Sequence, residues 1–223
     1  MSIEETLNKI ENALEGYTHL DELAKDKQDP FKILISTILS ARTRDANTKM
    51  ATEKLFKKYN TPKLIAEADI EELQELIKSS GFYKVKAARI KEVSRIIHEE
   101  YKGIVPKDYD KLMNLPGVGS KTANCVLVYA FKIPAIPVDT HVHRISNRIG
   151  WVKTKTPEKT EEALKKKIPK DQWIRLNRLF VKFGQQICLP INPRHDSCPI
   201  EYLCPKDFSI ENERKERKKK KSL

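Results

Sequence analysis

Leu115-Pro116-Gly117-Val118-Gly119-Ser120-Lys121-Thr122-Ala123 decides how this chain is read. A helix candidate precedes it, and the apolar stretch Val126 to Phe131 continues it as a helix. Two glycines this close to a helix start let the backbone pass near another molecule. The N–H groups and positive end of the following helix then form a site for an anion such as a DNA phosphate. A nucleotide-binding loop is the obvious rival, but no strand precedes the segment and its spacing is neither G-x-G-x-x-G nor the P-loop form. The plain alternative is a tight connection between antiparallel helices.

Working outward, helix signals recur on both sides. Ser2 with Glu5 makes a capping box ahead of Leu7, Ile10 and Leu14, and Asp29-Pro30 opens Phe31 to Ala41. Asp45, Thr61-Pro62 and Asp69 begin further segments. Tyr83 to Tyr101 carries Val85, Ile90, Val93, Ile96 and Ile97 near a 3.6 period, and Thr156-Pro157 and Lys170 start more amphipathic helices. The chain has seven glycines and shows no alternating apolar runs. The expected fold class is all-α, with ten or so helices and no solenoid repeat.

A chain of 223 residues can bury a real core without staples. No apolar run approaches the roughly 20 residues of a membrane helix, so no bilayer span is expected. The opening Met-Ser-Ile-Glu-Glu is acidic and unlike a signal or transit peptide, which makes an intracellular address, cytoplasm or nucleoid, the expectation. Lys and Arg outnumber Asp and Glu by 43 to 31. The segment from Glu211 holds seven bases against three acids and reads as a basic disordered tail, so most of the net +12 stays on the body. A basic body suits a phosphate-rich partner, because Lys and Arg release condensed counterions when they neutralise DNA. Of the cysteines 125, 188, 198 and 204, the last three crowd together, which in a reducing compartment reads as metal ligation before disulfides. Cys125 reads as a small buried hydrophobe.

The pattern L-P-G-V-G-x-K-T-A, followed by Val138-Asp139-Thr140-His141-Val142 and Arg144, resembles the helix-hairpin-helix and Gly/Pro/Asp signature of the endonuclease III superfamily. Leu39-Ser40-Ala41 with Asp45 matches an early motif of that family. Gly81-Phe82-Tyr83 with Lys86-Ala87 matches a middle loop, and the late cysteines match its metal loop, so the resemblance runs to about residue 208. It implies a six-helix barrel at 23–133 containing the hairpin. A second helical domain would be made of 1–22 and 134–210 and carry the metal loop, leaving 211–223 as the tail. It further implies a monomer that takes double-stranded DNA with damaged bases or abasic sites in a groove between the two domains. Leu115, Gly117, Val118, Gly119, Ser120 and Thr122 would be hairpin contacts to that DNA. Arg42 and Phe82 align with the positions that intercalate; both depart from the glutamine and leucine usual in the bacterial enzymes. A core aromatic is the competing reading of Phe82. His141 and His143 read as structural members of a capped helix rather than phosphate contacts.

The implied activity is that of a bifunctional DNA glycosylase and AP lyase acting on oxidised or damaged pyrimidines. Breaking a bond between sugar and base develops positive charge on the sugar; a carboxylate stabilises that charge and a nucleophile captures the anomeric carbon. Asp139 and Lys121 supply these roles. The helix end and partial burial are expected to favour the neutral amine of Lys121. Lys121 as a surface phosphate contact and Asp139 as a helix N-cap are the structural alternatives. Relatives that only remove the base place other residues at the lysine position. A monofunctional glycosylase and a nonenzymatic helix-hairpin-helix protein are therefore the rival functions.

Cys188, His195, Cys198 and Cys204 are spaced C-x6-H-x2-C-x5-C, matching the family's iron-sulfur loop except that histidine stands for its second cysteine. The expected occupant is a [4Fe-4S] cluster, with zinc or an empty loop as alternatives because Cys₃His also suits a tetrahedral ion. Arg194 and Lys206 make the loop basic, and Arg194 is a candidate DNA contact.

Overall fold

The computed structural model describes residues 2–16, 18–25, 29–209 and 212. The expected disordered tail lies outside these, Asn212 aside. The helices are α1 (Ile3–Asn12), α2 (His19–Lys25), α3 (Pro30–Ser40), α4 (Asp45–Lys58), α5 (Pro62–Glu67), α6 (Ile70–Leu76), α7 (Tyr83–Glu99), α8 (Tyr109–Met113), α9 (Ser120–Phe131), α10 (Thr140–Arg148), α11 (Pro157–Lys167) and α12 (Trp173–Gln186). Short 3-10 turns at Lys78–Ser80, Lys170–Gln172, His195–Ser197 and Glu201–Leu203 join them. Among the described residues there is no strand, and the fold is all-helical.

Local chemistry sets most of these starts. Ser2 and Glu5 form the reciprocal capping box, at 2.7 and 3.1 Å. Asp29, Thr61, Asp69, Asp108, Asp139 and Thr156 each accept a hydrogen bond from a first-turn amide of the helix they open. Pro30, Pro62 and Pro157 stand just inside, where the missing N–H is not needed. A cap of this kind contributes about 1 kcal/mol. Helices α4, α7, α9 and α12, which follow Arg44, Phe82, Gly119 and Gln172, have no side-chain cap.

The chain divides into two compact units, Tyr17–Ala135 and Met1–Gly16 with Ile136–Leu223. In the first, α3 packs against α9, with α2, α4 and α7 also against α3, while α7 lies along α5 and α6. Every residue from Ile33 to Leu39 is buried, as is every residue from Ala123 to Ala130, so neither stretch has a solvent face and both are mostly apolar. Each buried Leu or Ile stabilises by about 1.5–3 kcal/mol. Cys125 is fully buried here.

In the second unit α12 carries Leu176, Leu179, Phe180 and Phe183 into a core with Leu7 and Ile10 of α1 and Val142 and Ile145 of α10. The Trp151 and Phe180 rings lie 5.4 Å apart. Glu11 bridges Arg175 and Arg178 at 2.8 and 2.5 Å, fastening α1 to α12. A Cβ on Gly184 would stand 2.3 Å from His141 Nδ1, so glycine is what lets α12 approach α10. Buried His143 meets Thr160 Oγ1 at 2.6 Å and is structural. No described helix is long and apolar enough to cross a membrane.

Candidate functional site

The hairpin is built by two buried residues and two exposed glycines. Leu115 and Val118 are 2% and 6% exposed, and the Val118 amide donates to the Leu115 carbonyl at 3.1 Å, closing the turn. The side chains of both fill the core, which leaves their backbone groups to serve the expected hairpin contact. Gly117 takes φ +73°, a left-handed conformation that glycine adopts without strain. Gly119 is the N-cap of α9 and brings no side chain to its first-turn amides, which have no intrahelical acceptors. No side chain caps the positive end of α9, a setting that suits an anion. Ser120 is engaged with Asn124 at 3.3 Å. Lys121 and Thr122 sit part-exposed in the first turn, and the Lys121 amine has no partner among the described residues.

Two more expected contacts share an unusual backbone. Arg42 (φ 55°) and Phe82 (φ 48°) are both left-handed without being glycine, and both side chains project into solvent, Phe82 at 66% exposure. The core-aromatic reading of Phe82 is thereby excluded. For such residues this conformation costs about 1–2 kcal/mol, and it is retained where the surroundings enforce it.

In the other unit Asp139 is the N-cap of α10, its Oδ1 accepting from the Val142 amide at 2.8 Å. Oδ2 has no partner among the described residues. The carboxylate is held by one oxygen and offers the other.

Cys188, His195, Cys198 and Cys204 line one pocket, whose remaining wall joins apolar Phe183, Ile187, Ile200 and Phe208 to the basic Arg148, Arg194 and Lys206. Burial pushes the Cys198 and Cys204 thiols up, and the neighbouring Cys188 adds to the effect, so they hold their protons until a cation replaces them. Among the described residues no three His, Cys, Asp or Glu side chains converge as a single ion requires. The buried Arg148 guanidinium donates to Leu189 O at 2.6 Å, Pro190 O at 3.0 Å and Cys188 Sγ at 3.4 Å, holding the start of the loop. Arg194 is exposed on its rim, whereas Lys206 is committed to Glu201.

Two helices joined by a two-glycine hairpin, the second of them opening without a side-chain cap, define the helix-hairpin-helix class. Residues 35–170 match the model of the HhH-GPD superfamily of base excision DNA repair proteins. The chain is 57% identical over 176 residues to endonuclease III of Thermotoga maritima, covering 79% of this chain and 83% of that one. A trapped endonuclease III–DNA covalent intermediate is similar at a TM-score of 0.76 and 41% identity, covering 84% of this chain and 92% of that one. A thermostable thymine-DNA glycosylase is similar at 0.77 and 27% identity, with 94% of each chain covered. The chain belongs to the HhH-GPD superfamily and, within it, to the endonuclease III family.

Two residues escaped the sequence reading, and a third, Lys86, entered it only as part of a motif. Arg89 packs over Gly117, Arg148 binds the thiol loop, and Lys86 is buried beneath the turns of Arg42 and Phe82. Only Lys86 had a signal, since it falls on the apolar stripe of α7 with Ile90, Val93 and Ile97.

Proposed function

We propose that this chain is a bifunctional DNA glycosylase and AP lyase that removes damaged pyrimidines from double-stranded DNA, with Lys121 as nucleophile. The observation that carries the reading is the unpaired amine of Lys121 in the first turn of a helix whose N-terminus is left open by Gly119. A phosphate bound at that end brings the sugar of an extruded nucleotide to the amine. The Lys121 amine attacks C1′ and sheds a proton as the bond to the base breaks; the electron pair leaves with the base, which takes up a proton. Asp139 offsets the positive charge that develops on the sugar. Ring opening gives an imine between Lys121 and C1′. Loss of a C2′ proton then expels the 3′ phosphate, cutting the strand, and water releases the lysine. Arg42 and Phe82 fill the vacated stack, while Gly117, Gly119, Ser120, Thr122 and Arg194 face the backbone. The substrate places this work in the cytoplasm, on the nucleoid.

Cys188, His195, Cys198 and Cys204 are the donors for a [4Fe-4S] cluster. Three thiols and an imidazole lining one largely apolar pocket, on the spacing of the family's iron-sulfur loop, support that group over a single zinc. Its role would be to brace the loop bearing Arg194, and the reaction proceeds through protein groups alone.

The likeness to a thymine-DNA glycosylase keeps a monofunctional reading in play, and one assay separates the two. Borohydride added during turnover on duplex containing an oxidised pyrimidine should trap a covalent protein–DNA adduct. Base release without an adduct or a strand break would replace the proposal with the monofunctional reading.

A further inference from the structure

We propose that Lys86 is the positioning residue for the two side chains that open the duplex: one buried ammonium holds the turn of Arg42 and the turn of Phe82 at a fixed spacing. This rests on the reading above that Arg42 and Phe82 enter the base stack.

A lysine on the buried stripe of α7 is expensive unless its charge is met. Lys86 is 3% exposed. Its Nζ donates to Leu39 O, Thr43 Oγ1 and Ser80 O, each at 2.7 Å. Three donors meet three acceptors, so the ammonium is saturated, and no carboxylate pairs with it among the described residues. Leu39 lies at the C-terminal end of α3 and Ser80 ends the 3-10 turn Lys78–Ser80, so the cation sits where two sets of carbonyls point outward.

The acceptors belong to two separate stretches. Thr43 directly follows Arg42, and Ser80 stands two residues before Phe82. The Thr43 hydroxyl also donates to Ser80 O, and Ser79 Oγ donates to Asn47 O at 3.0 Å, which ties the same stretches again. Both Arg42 and Phe82 hold left-handed backbone that relaxes unless its surroundings fix it. The tetrahedral ammonium supplies that fixation. An apolar side chain of equal length would take a donor from all three acceptors and leave the two turns tied only by the Thr43 and Ser79 hydroxyls.

The test uses the full chain on two substrates: a duplex in which 2-aminopurine flanks a tetrahydrofuran abasic analogue, reporting unstacking, and single-stranded abasic DNA, which needs no opening. In Lys86→Met and in Thr43→Val the fluorescence rise on the duplex should slow on the order of 10-fold or more relative to single-strand cleavage. Lys86→Arg should recover part of it. Equal losses on both substrates would make Lys86 a general fold residue and overturn the proposal, as would an unchanged duplex signal. If Lys86→Met fails to fold, Thr43→Val decides, since it removes one acceptor and leaves the lysine in place. Phe82→Ala run in parallel separates the layers. No loss there sinks the wedge reading itself, whereas loss there with none in Lys86→Met and Thr43→Val sinks only the positioning role.

Discussion

The Cδ of Arg89 stands 2.7 Å from the point a Cβ on Gly117 would occupy. The arginine stem lies across the one glycine whose left-handed backbone shapes the hairpin, so substitution there meets two obstacles of different stiffness. Arg89 is flexible and can withdraw, but φ +73° cannot relax without reshaping the turn. Gly117→Ala should destabilise by about 1 kcal/mol, a fall of about 2–4 °C in Tm for a chain of this size, and should weaken DNA binding in fluorescence anisotropy. Gly103 has φ +80° and open space around it. Gly103→Ala should match the thermal loss and leave DNA affinity alone; equal affinity loss in both would remove the hairpin from the binding surface.

Lys121→Gln keeps the turn and the open helix end and deletes only the amine. Duplex binding should persist while strand cleavage and borohydride trapping vanish. An adduct that survives in this variant would place the nucleophile elsewhere.

Asp139 has two separable jobs. Asparagine caps a helix about as well as aspartate, so Asp139→Asn should leave Tm nearly unchanged while single-turnover base release falls on the order of 10²-fold. Asp139→Ala should lose rate and about 1 kcal/mol of stability. If Asp139→Asn keeps its rate, the residue is a cap and nothing more.

Anaerobically purified protein should be brown and contain about four irons and four sulfides per chain. Cys198→Ser should lower the iron content and loosen the loop towards protease, because its thiol is one of the anchors. A colourless sample with one zinc would refute the cluster without touching the chemistry at Lys121.

Burial pushes the Lys86 ammonium down to about 8 from 10.5. Between these values the unfolded chain keeps a proton that the folded chain has shed, so the contribution of this group to stability rises with pH over that interval. Below it both states are protonated and the contribution no longer changes with pH. The urea midpoint of the native chain relative to Lys86→Met should therefore climb from pH 8 to 10. A constant difference would show that Lys86 titrates alike folded and unfolded.

Much of the fold was legible because it is written in local chemistry: Ser2, Asp29, Thr61, Asp69 and Thr156 announce their helices by type and spacing. Helix α2 announces itself in the same way, through the reciprocal bonds of Thr18 and Asp21, but was missed, and α8, five residues long, was placed only as a helix candidate before the hairpin. The hairpin was legible from its glycines, but not that Leu115 and Val118 turn inward, since either face of a short turn can be apolar. Lys86 shows the other limit. Periodicity places a residue on a face, while its three acceptors come from stretches 6 to 47 residues away that only the folded chain brings together.

The bare cap at Gly119 has a consequence for anyone hardening this protein against heat. Every rule of helix engineering marks it as the obvious place to add serine or aspartate, with about 1 kcal/mol to be gained. The added oxygen would occupy the same amides that the proposed reading assigns to a phosphate. Here thermal robustness and grip on the substrate compete for one set of N–H groups, and a screen scored on melting temperature alone would select against the enzyme it set out to improve.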